Sequence, residues 1–170
     1  MDRRRLLKFG AAISLMPLIS VNTRAQSFEL PAFEPLDKPA SAWREVLSED
    51  RYRILFKEAT ERAFTSPLDD EKRKGTYICA ACYLPLFLSD WKYDSGTGWP
   101  SFFRAIDGAT GTKTDFKMIW PRTEYHCARC GGHQGHIFDD GPPPTGDRWC
   151  NNGLALRFVP ENKSLPALRS

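Results

Sequence analysis

The run Thr76-Tyr77-Ile78-Cys79-Ala80-Ala81-Cys82 closes a short apolar segment on a C-x-x-C pair, and Cys127-Ala128-Arg129-Cys130 repeats the spacing after 44 intervening residues. Two pairs of soft ligands suit one tetrahedral metal ion, and a site closed by four thiolates holds structure rather than performing chemistry. Such a centre would staple two β-rich halves, because each pair sits at one end of a long connection. Each pair could instead be a redox dithiol. Neither is followed by the long helical pattern that a thioredoxin-type motif needs. Gly131-Gly132 behind the second pair lets the chain turn its amides toward sulfur. Zinc is the default ion for four structural cysteines, while iron uses the same ligands and stays open from spacing alone.

Of the five cysteines, Cys150 is left without a partner. It lies in Arg148-Trp149-Cys150-Asn151-Asn152. Alternation along an extended strand puts Arg148, Cys150 and Asn152 on one face and Trp149 and Asn151 on the other. A guanidinium beside a thiol favours thiolate, the nucleophilic form. A buried structural cysteine is the competing reading, and the polar neighbours weigh against it. Asn152-Gly153 is also a turn signal, and a strand that breaks there need not keep Asn152 on the thiol's face.

Acid–base groups follow the second pair in His133-Gln134-Gly135-His136-Ile137-Phe138-Asp139-Asp140. Histidine exchanges protons near neutral pH, and a carboxylate can orient it. Gly98-Trp99-Pro100-Ser101-Phe102-Phe103 sets aromatics in a rigid turn, where Trp99 either fills the core or walls a site.

The first 25 residues read as an export signal rather than as part of the fold. Arg3-Arg4-Arg5-Leu6-Leu7-Lys8 precedes an apolar run of 13 residues, Phe9 to Val21, and a cleavage point is expected after Ala25. The run is shorter than the ~20 residues of a membrane span, so no stable membrane anchor is expected. Arg3-Arg4 resembles the twin-arginine pattern, with Asp2 and Leu6 as departures; an ordinary secretory signal is the alternative. The segment carries five of the 24 basic residues and one of the 21 acidic ones, leaving 19 against 20. No basic excess remains to point to nucleic acid. The expected location is the bacterial periplasm.

Residues 26–40, with Pro31, Pro35 and Pro39, read as an extended leader, and residues 161–170 as a tail. The composition is helical from Ser41 to Phe64, with Ser48 as cap and Tyr52, Leu55, Phe56 and Ala59 on one face. Beyond Gly75 short strands are expected, clearest at Thr76–Ala80, Phe116–Trp120 and Leu154–Val159. The fold class is therefore mainly β and antiparallel, after an N-terminal helical arm.

Together these residues resemble methionine-R-sulfoxide reductase of the MsrB type. The likeness runs from about Ala42 to Val159, through Thr60-Glu61-Arg62, Gly75 to Cys79, Asp94-Ser95-Gly96-Thr97-Gly98-Trp99-Pro100-Ser101-Phe102, His133 to Gly141 and Arg148 to Asn152. It implies a reductase domain over residues 41–160, built of two antiparallel sheets with short N-terminal helices. One structural zinc would sit on Cys79, Cys82, Cys127 and Cys130. Cys150 would be the nucleophile, attacking the sulfoxide sulfur to give methionine and a sulfenic acid on itself. His136, the expected proton donor, together with His133, Asp140, Arg148 and Asn152, would match the polar catalytic positions. Trp99 and Phe138 would bind substrate. The implied partners are oxidised proteins or methionine sulfoxide and a thioredoxin-like reductant, with the protein expected to be a monomer.

One departure matters. Many relatives place a second redox cysteine in the Ser-Gly-x-Gly-Trp-Pro loop, where this chain has Thr97. The sulfenic acid would then need an external thiol. Two rivals from other classes remain: a non-enzymatic zinc-ribbon binding module, and an iron electron carrier on the same four cysteines.

Overall fold

Among the residues that the computed structural model describes, 28–117 and 120–170, nine strands form two antiparallel sheets. The expected export signal lies outside the described residues. The smaller sheet has the order β2-β1-β9, from β1 (Gly75–Cys79), β2 (Pro85–Leu88) and β9 (Leu156–Pro160). The larger has the order β3-β4-β8-β7-β6-β5, from β3 (Lys92–Tyr93), β4 (Ser101–Phe102), β5 (Thr110–Asp115), β6 (Arg122–Cys127), β7 (His133–Phe138) and β8 (Arg148–Asn151).

Aromatic side chains hold the sheets face to face. Tyr77 and Phe87 come from the small sheet, and Phe102, Tyr125 and Trp149 from the large one. Phe87 stacks on Phe102 at 4.2 Å, Tyr77 meets Phe102 edge-on at 5.0 Å, and Tyr125 meets Trp149 at 4.8 Å. Four of the five rings are fully buried, and each contributes about 1.5–3 kcal/mol by leaving water, more where rings meet in offset or edge geometry. Because successive strand residues face opposite ways, committing Tyr125, Ile137 and Trp149 to this interface commits their neighbours to the other side of the sheet. Those neighbours are Arg122, Glu124, His136, Phe138, Arg148 and Cys150. One face of the large sheet is core, and the other is polar.

The helix α1 (Glu49–Lys57) begins where expected, with Ser48 Oγ accepting from Arg51 N at 3.4 Å. It stops short of Phe64. Glu58 turns left-handed (φ 51°), and residues 58–74 run without regular structure, tied instead to the site. A 3-10 turn, Ala40–Glu45, precedes it and buries Trp43.

The strand expected at Phe116–Trp120 is displaced. The ladder ends at Asp115, where Asp115 pairs with Arg122 to close the hairpin; Phe116 and Trp120 are exposed, and Met118 and Ile119 lie outside the described residues. Apolar composition alone marked that segment, but β5 is held by alternate pairing from Thr110 onward. The last strand starts at Leu156, two residues later than expected, because Gly153–Ala155 forms a 3-10 turn.

The leader and tail are laid against the domain. Phe28, Leu30, Phe33 and Leu36 pack on the core, and Leu36 N donates to Arg129 O at 2.7 Å. Arg169 donates to three successive carbonyls of the first C-x-x-C turn: its N to Cys82 O (2.9 Å), Nε to Ala81 O (2.6 Å) and a guanidinium nitrogen to Ala80 O (2.8 Å).

Candidate active site and metal centre

The two C-x-x-C segments fold into matching turns. Tyr83 N donates to Cys79 O at 3.0 Å and Gly131 N to Cys127 O at 2.9 Å. Cys79 N donates to Leu84 O at 2.8 Å and Cys127 N to Gly132 O at 2.9 Å. Both turns need a left-handed residue after the second cysteine: Gly131 adopts φ 69° freely, whereas Tyr83 adopts φ 67° against its Cβ. One turn ends β1 in the small sheet and the other ends β6 in the large one, so the cluster joins the sheets where their cores meet.

The four sulfurs lie within 4.8 Å of one another, with Cys79 Sγ 3.6 Å from Cys130 Sγ and Cys82 Sγ 3.5 Å from Cys127 Sγ. Zinc–sulfur bonds of ~2.3 Å place tetrahedral sulfurs about 3.8 Å apart, so the quartet fits one such ion. Gln134 Nε2 donates to Cys79 Sγ at 3.6 Å, the kind of outer bond that steadies a thiolate ligand.

Cys150 belongs to a different place. On β8 it pairs directly with His136 of β7 and Ser101 of β4, so the three side chains share the polar face. It borders a cavity of about 120 Å³ lined by Thr60, Trp99, Arg122, His136, Phe138 and Asn152. Gly135 allows β7 and β8 to approach here, since a Cβ at that position would collide with the Cys150 carbonyl oxygen.

The expected pull of Arg148 toward thiolate is present at Cys150 but is outweighed. Burial pushes the Cys150 thiol above its ordinary value, and the Arg148 guanidinium and Thr97 hydroxyl only partly oppose it. Arg148 is held by Asp140 through two bonds, 2.7 and 2.9 Å, and its guanidinium lies 4.2 Å over the Phe138 ring. The Asp140 side chain is 60% exposed, so it faces away from the cavity and acts on Arg148.

His136 Nε2 is 2.8 Å from Asp115 Oδ2, and the same oxygen accepts from Arg122 at 2.7 Å. Asp115 therefore engages Nε2, which leaves Nδ1 as the other ring nitrogen of a side chain that lines the cavity. Burial lowers the His136 pKa, with Asp115 pulling the other way. His133 lies deeper, Nδ1 2.9 Å from Glu124 Oε1 and its ring 5.5 Å from that of His136.

Asn152 lines the cavity, yet its amide is committed elsewhere: Oδ1 accepts from Glu61 N at 3.0 Å, and Nδ2 donates to Gln134 O at 3.0 Å. Glu61 ties the whole loop down. Its carboxylate accepts from Gly153 N and, at 3.0 Å, from Leu154 N, while its carbonyl accepts from Trp99 Nε1 at 3.1 Å. Burial pushes its carboxyl up, against the pull of those two amides and of Arg51.

Reasoning from sequence missed Asp115, Arg122, Glu124 and the work of Glu61. Only Glu61 had a signal, inside Thr60-Glu61-Arg62; a carboxylate at a strand end, as at Asp115, has none.

A model of the SelR domain matches residues 47–160. The chain is 50% identical over 126 residues to "Peptide methionine sulfoxide reductase MsrB" of Agrobacterium fabrum, an overlap of 74% of this chain and 93% of that protein. The protein of the same name from Leptospira interrogans is 47% identical over 127 residues, covering 74% and 97%. That from Methanosarcina barkeri is 44% identical over 133 residues, covering 78% and 94%.

Proposed function

We propose that this chain, which belongs to the MsrB family through its SelR domain, reduces the R epimer of methionine sulfoxide in polypeptides, with Cys150 as nucleophile. The observation that carries the reading is the pairing of Cys150 with His136 across β7 and β8, at a cavity sized for one side chain. Cys150 Sγ, as thiolate, takes the sulfoxide oxygen. The S–O bond of the substrate breaks, methionine leaves reduced by two electrons, and the protonated oxygen stays on Cys150 as a sulfenic acid.

A sulfoxide oxygen leaves poorly until protonated. His136 Nδ1 is the ring nitrogen free to deliver that proton, and the burial that lowers its pKa makes the imidazolium a stronger acid. Arg148 biases the half-buried thiol toward thiolate, and the Trp99 face receives the substrate methyl group. Zinc on Cys79, Cys82, Cys127 and Cys130 supplies structure only, since four ligands leave no open position.

Regeneration uses a thiol from outside. Thr97 stands beside Cys150 where a resolving cysteine would be useful, and the other four cysteines are gathered in the metal cluster. One donor thiol attacks the sulfenic acid, releasing water and forming a mixed disulfide. A second displaces Cys150 and leaves as the donor's disulfide. The reading of residues 1–25 as an export signal places this cycle in the periplasm, with a thioredoxin-like protein as donor.

The experiment is turnover of separated R and S epimers of a methionine sulfoxide peptide with dithiothreitol. R alone should be reduced. Mass spectrometry of enzyme oxidised by substrate without reductant should show one added oxygen on Cys150. An internal disulfide instead would overturn the external-thiol cycle.

A further inference from the structure

The loop between β5 and β6 breaks the usual chemistry of a hairpin tip. Such tips are built from Gly, Asn and Asp, which tolerate the turn and meet water. Here the six residues are Phe116-Lys117-Met118-Ile119-Trp120-Pro121, with none of those three. Phe116 is 77% and Trp120 79% exposed, the two most exposed large apolar side chains among the described residues. Two exposed aromatics four residues apart in sequence are the kind of apolar surface that binds partners.

The tip is anchored beside the cavity. At its base Asp115 pairs with Arg122 at 2.7 Å; Arg122 lines the cavity, and Asp115 holds His136. Lys117 N donates to Asp115 Oδ1 at 2.9 Å, and Lys117 Nζ pairs with Glu58 at the end of α1. β5 is the outer strand of the large sheet, and no further strand pairs with it among the described residues.

The size of the cavity says what the surface is for. At about 120 Å³ it falls well below the ~300 Å³ at which small-molecule sites begin. A volume of that size suits one oxidised side chain, with the chain that bears it lying outside. The residues flanking that side chain must cross the rim, part of which is Arg122, the residue that closes the loop carrying Phe116 and Trp120. We propose that these two side chains form an exosite that binds apolar residues flanking methionine sulfoxide, directing the enzyme to unfolded polypeptide whose core sequence is exposed. The inference rests on the reductase reading.

The test compares three substrates: an R-sulfoxide peptide with Leu and Phe flanks, the same peptide with Ser and Gly flanks, and N-acetyl methionine sulfoxide. The unmodified protein should prefer the apolar peptide. In the double variant Phe116→Ser, Trp120→Ser, kcat/KM for that peptide should fall about tenfold, mostly through KM, the scale of one aromatic side chain's burial. Turnover of the polar peptide and the small substrate should persist, and Trp120→Phe should retain the preference. Equal losses on all three substrates, or no loss on any, would overturn the exosite.

Two other occupants are tested alongside. If the double variant leaves peptide kinetics intact but abolishes a dimer seen by sedimentation, the patch is a self-interface. If it abolishes cosedimentation with anionic vesicles instead, the patch is a membrane contact. Either result overturns the proposal. Failure of the unmodified protein on all three substrates sinks the reductase reading itself.

Discussion

β7 runs between two places where sulfur is set in different surroundings. Just before its first residue, Cys130 closes a quartet whose four thiols lie within 4.8 Å of one another, framed by matched backbone turns and a bond from Gln134. At its middle, His136 faces a single thiol that borders a cavity. At the quartet each of two sheets contributes one turn, and a common ion would satisfy every ligand. At Cys150 the neighbours pull against each other: burial opposes thiolate, and Arg148 and Thr97 favour it. A site that holds structure is closed and satisfied. A site that reacts keeps one group unsatisfied, with room beside it.

The comparison breaks most severely at the quartet. Structural zinc sites bind with on the order of 10 kcal/mol at neutral pH, about the whole stability of a domain. Cys127→Ser, or prolonged chelation, should abolish the cooperative thermal transition followed by circular dichroism. Retention of a native melt without metal would show that the cluster is not structural. Cys150→Ser should do the reverse, cutting turnover on the order of 10³-fold or more while metal content and melting temperature hold.

Glu61→Ala tests whether the reactive end is positioned as firmly as the metal end. It strands the Gly153 and Leu154 amides, a cost of roughly 2–4 kcal/mol, and should lower melting temperature and kcat/KM together as the turn after Cys150 loosens. Full activity at reduced stability would confine Glu61 to folding.

Arg148→Met sharpens the electrostatic contrast. With the guanidinium gone, burial acts with less opposition and the Cys150 pKa rises further, so thiolate at neutral pH becomes scarcer. Iodoacetamide alkylation at neutral pH should slow severalfold, and its pH profile should move upward. A downward move would refute the assigned sign.

The smallest effect is expected at Glu58, whose carboxylate Lys113 and Lys117 hold down at about 2. Being depressed in the folded state, it stabilises above the ordinary value of 4.5, and that contribution fades as pH falls toward 2. Glu58→Gln should cost about 0.5 kcal/mol at neutral pH, with the gap to the unmodified protein closing in acid urea melts.

Much of the candidate site's geometry could be read from local spacing. The C-x-x-C pairs announced a four-sulfur cluster, and alternation in Arg148-Trp149-Cys150-Asn151 separated Arg148 and Cys150 from the core-facing Trp149 and Asn151. Patterns of period two survive folding because a strand's geometry is local. Expectations that depended on composition alone did worse. The apolar tip at Phe116–Trp120 read as a strand, and the helical stretch before Phe64 overran its end at Lys57.

What the chain's chemistry determined by itself was which residues can ligate, attack or exchange a proton, because those properties reside in single side chains and short repeats. Which of them meet was decided only by the tertiary fold, through sheet pairing and through the loops tied across it. Asp115 reaches His136 because β5, β6 and β7 lie side by side, and Glu61 reaches Gly153 and Leu154 from 92 and 93 residues away. The thiol's net bias toward the protonated form is likewise a product of burial, a property of the assembled interior that no run of letters carries.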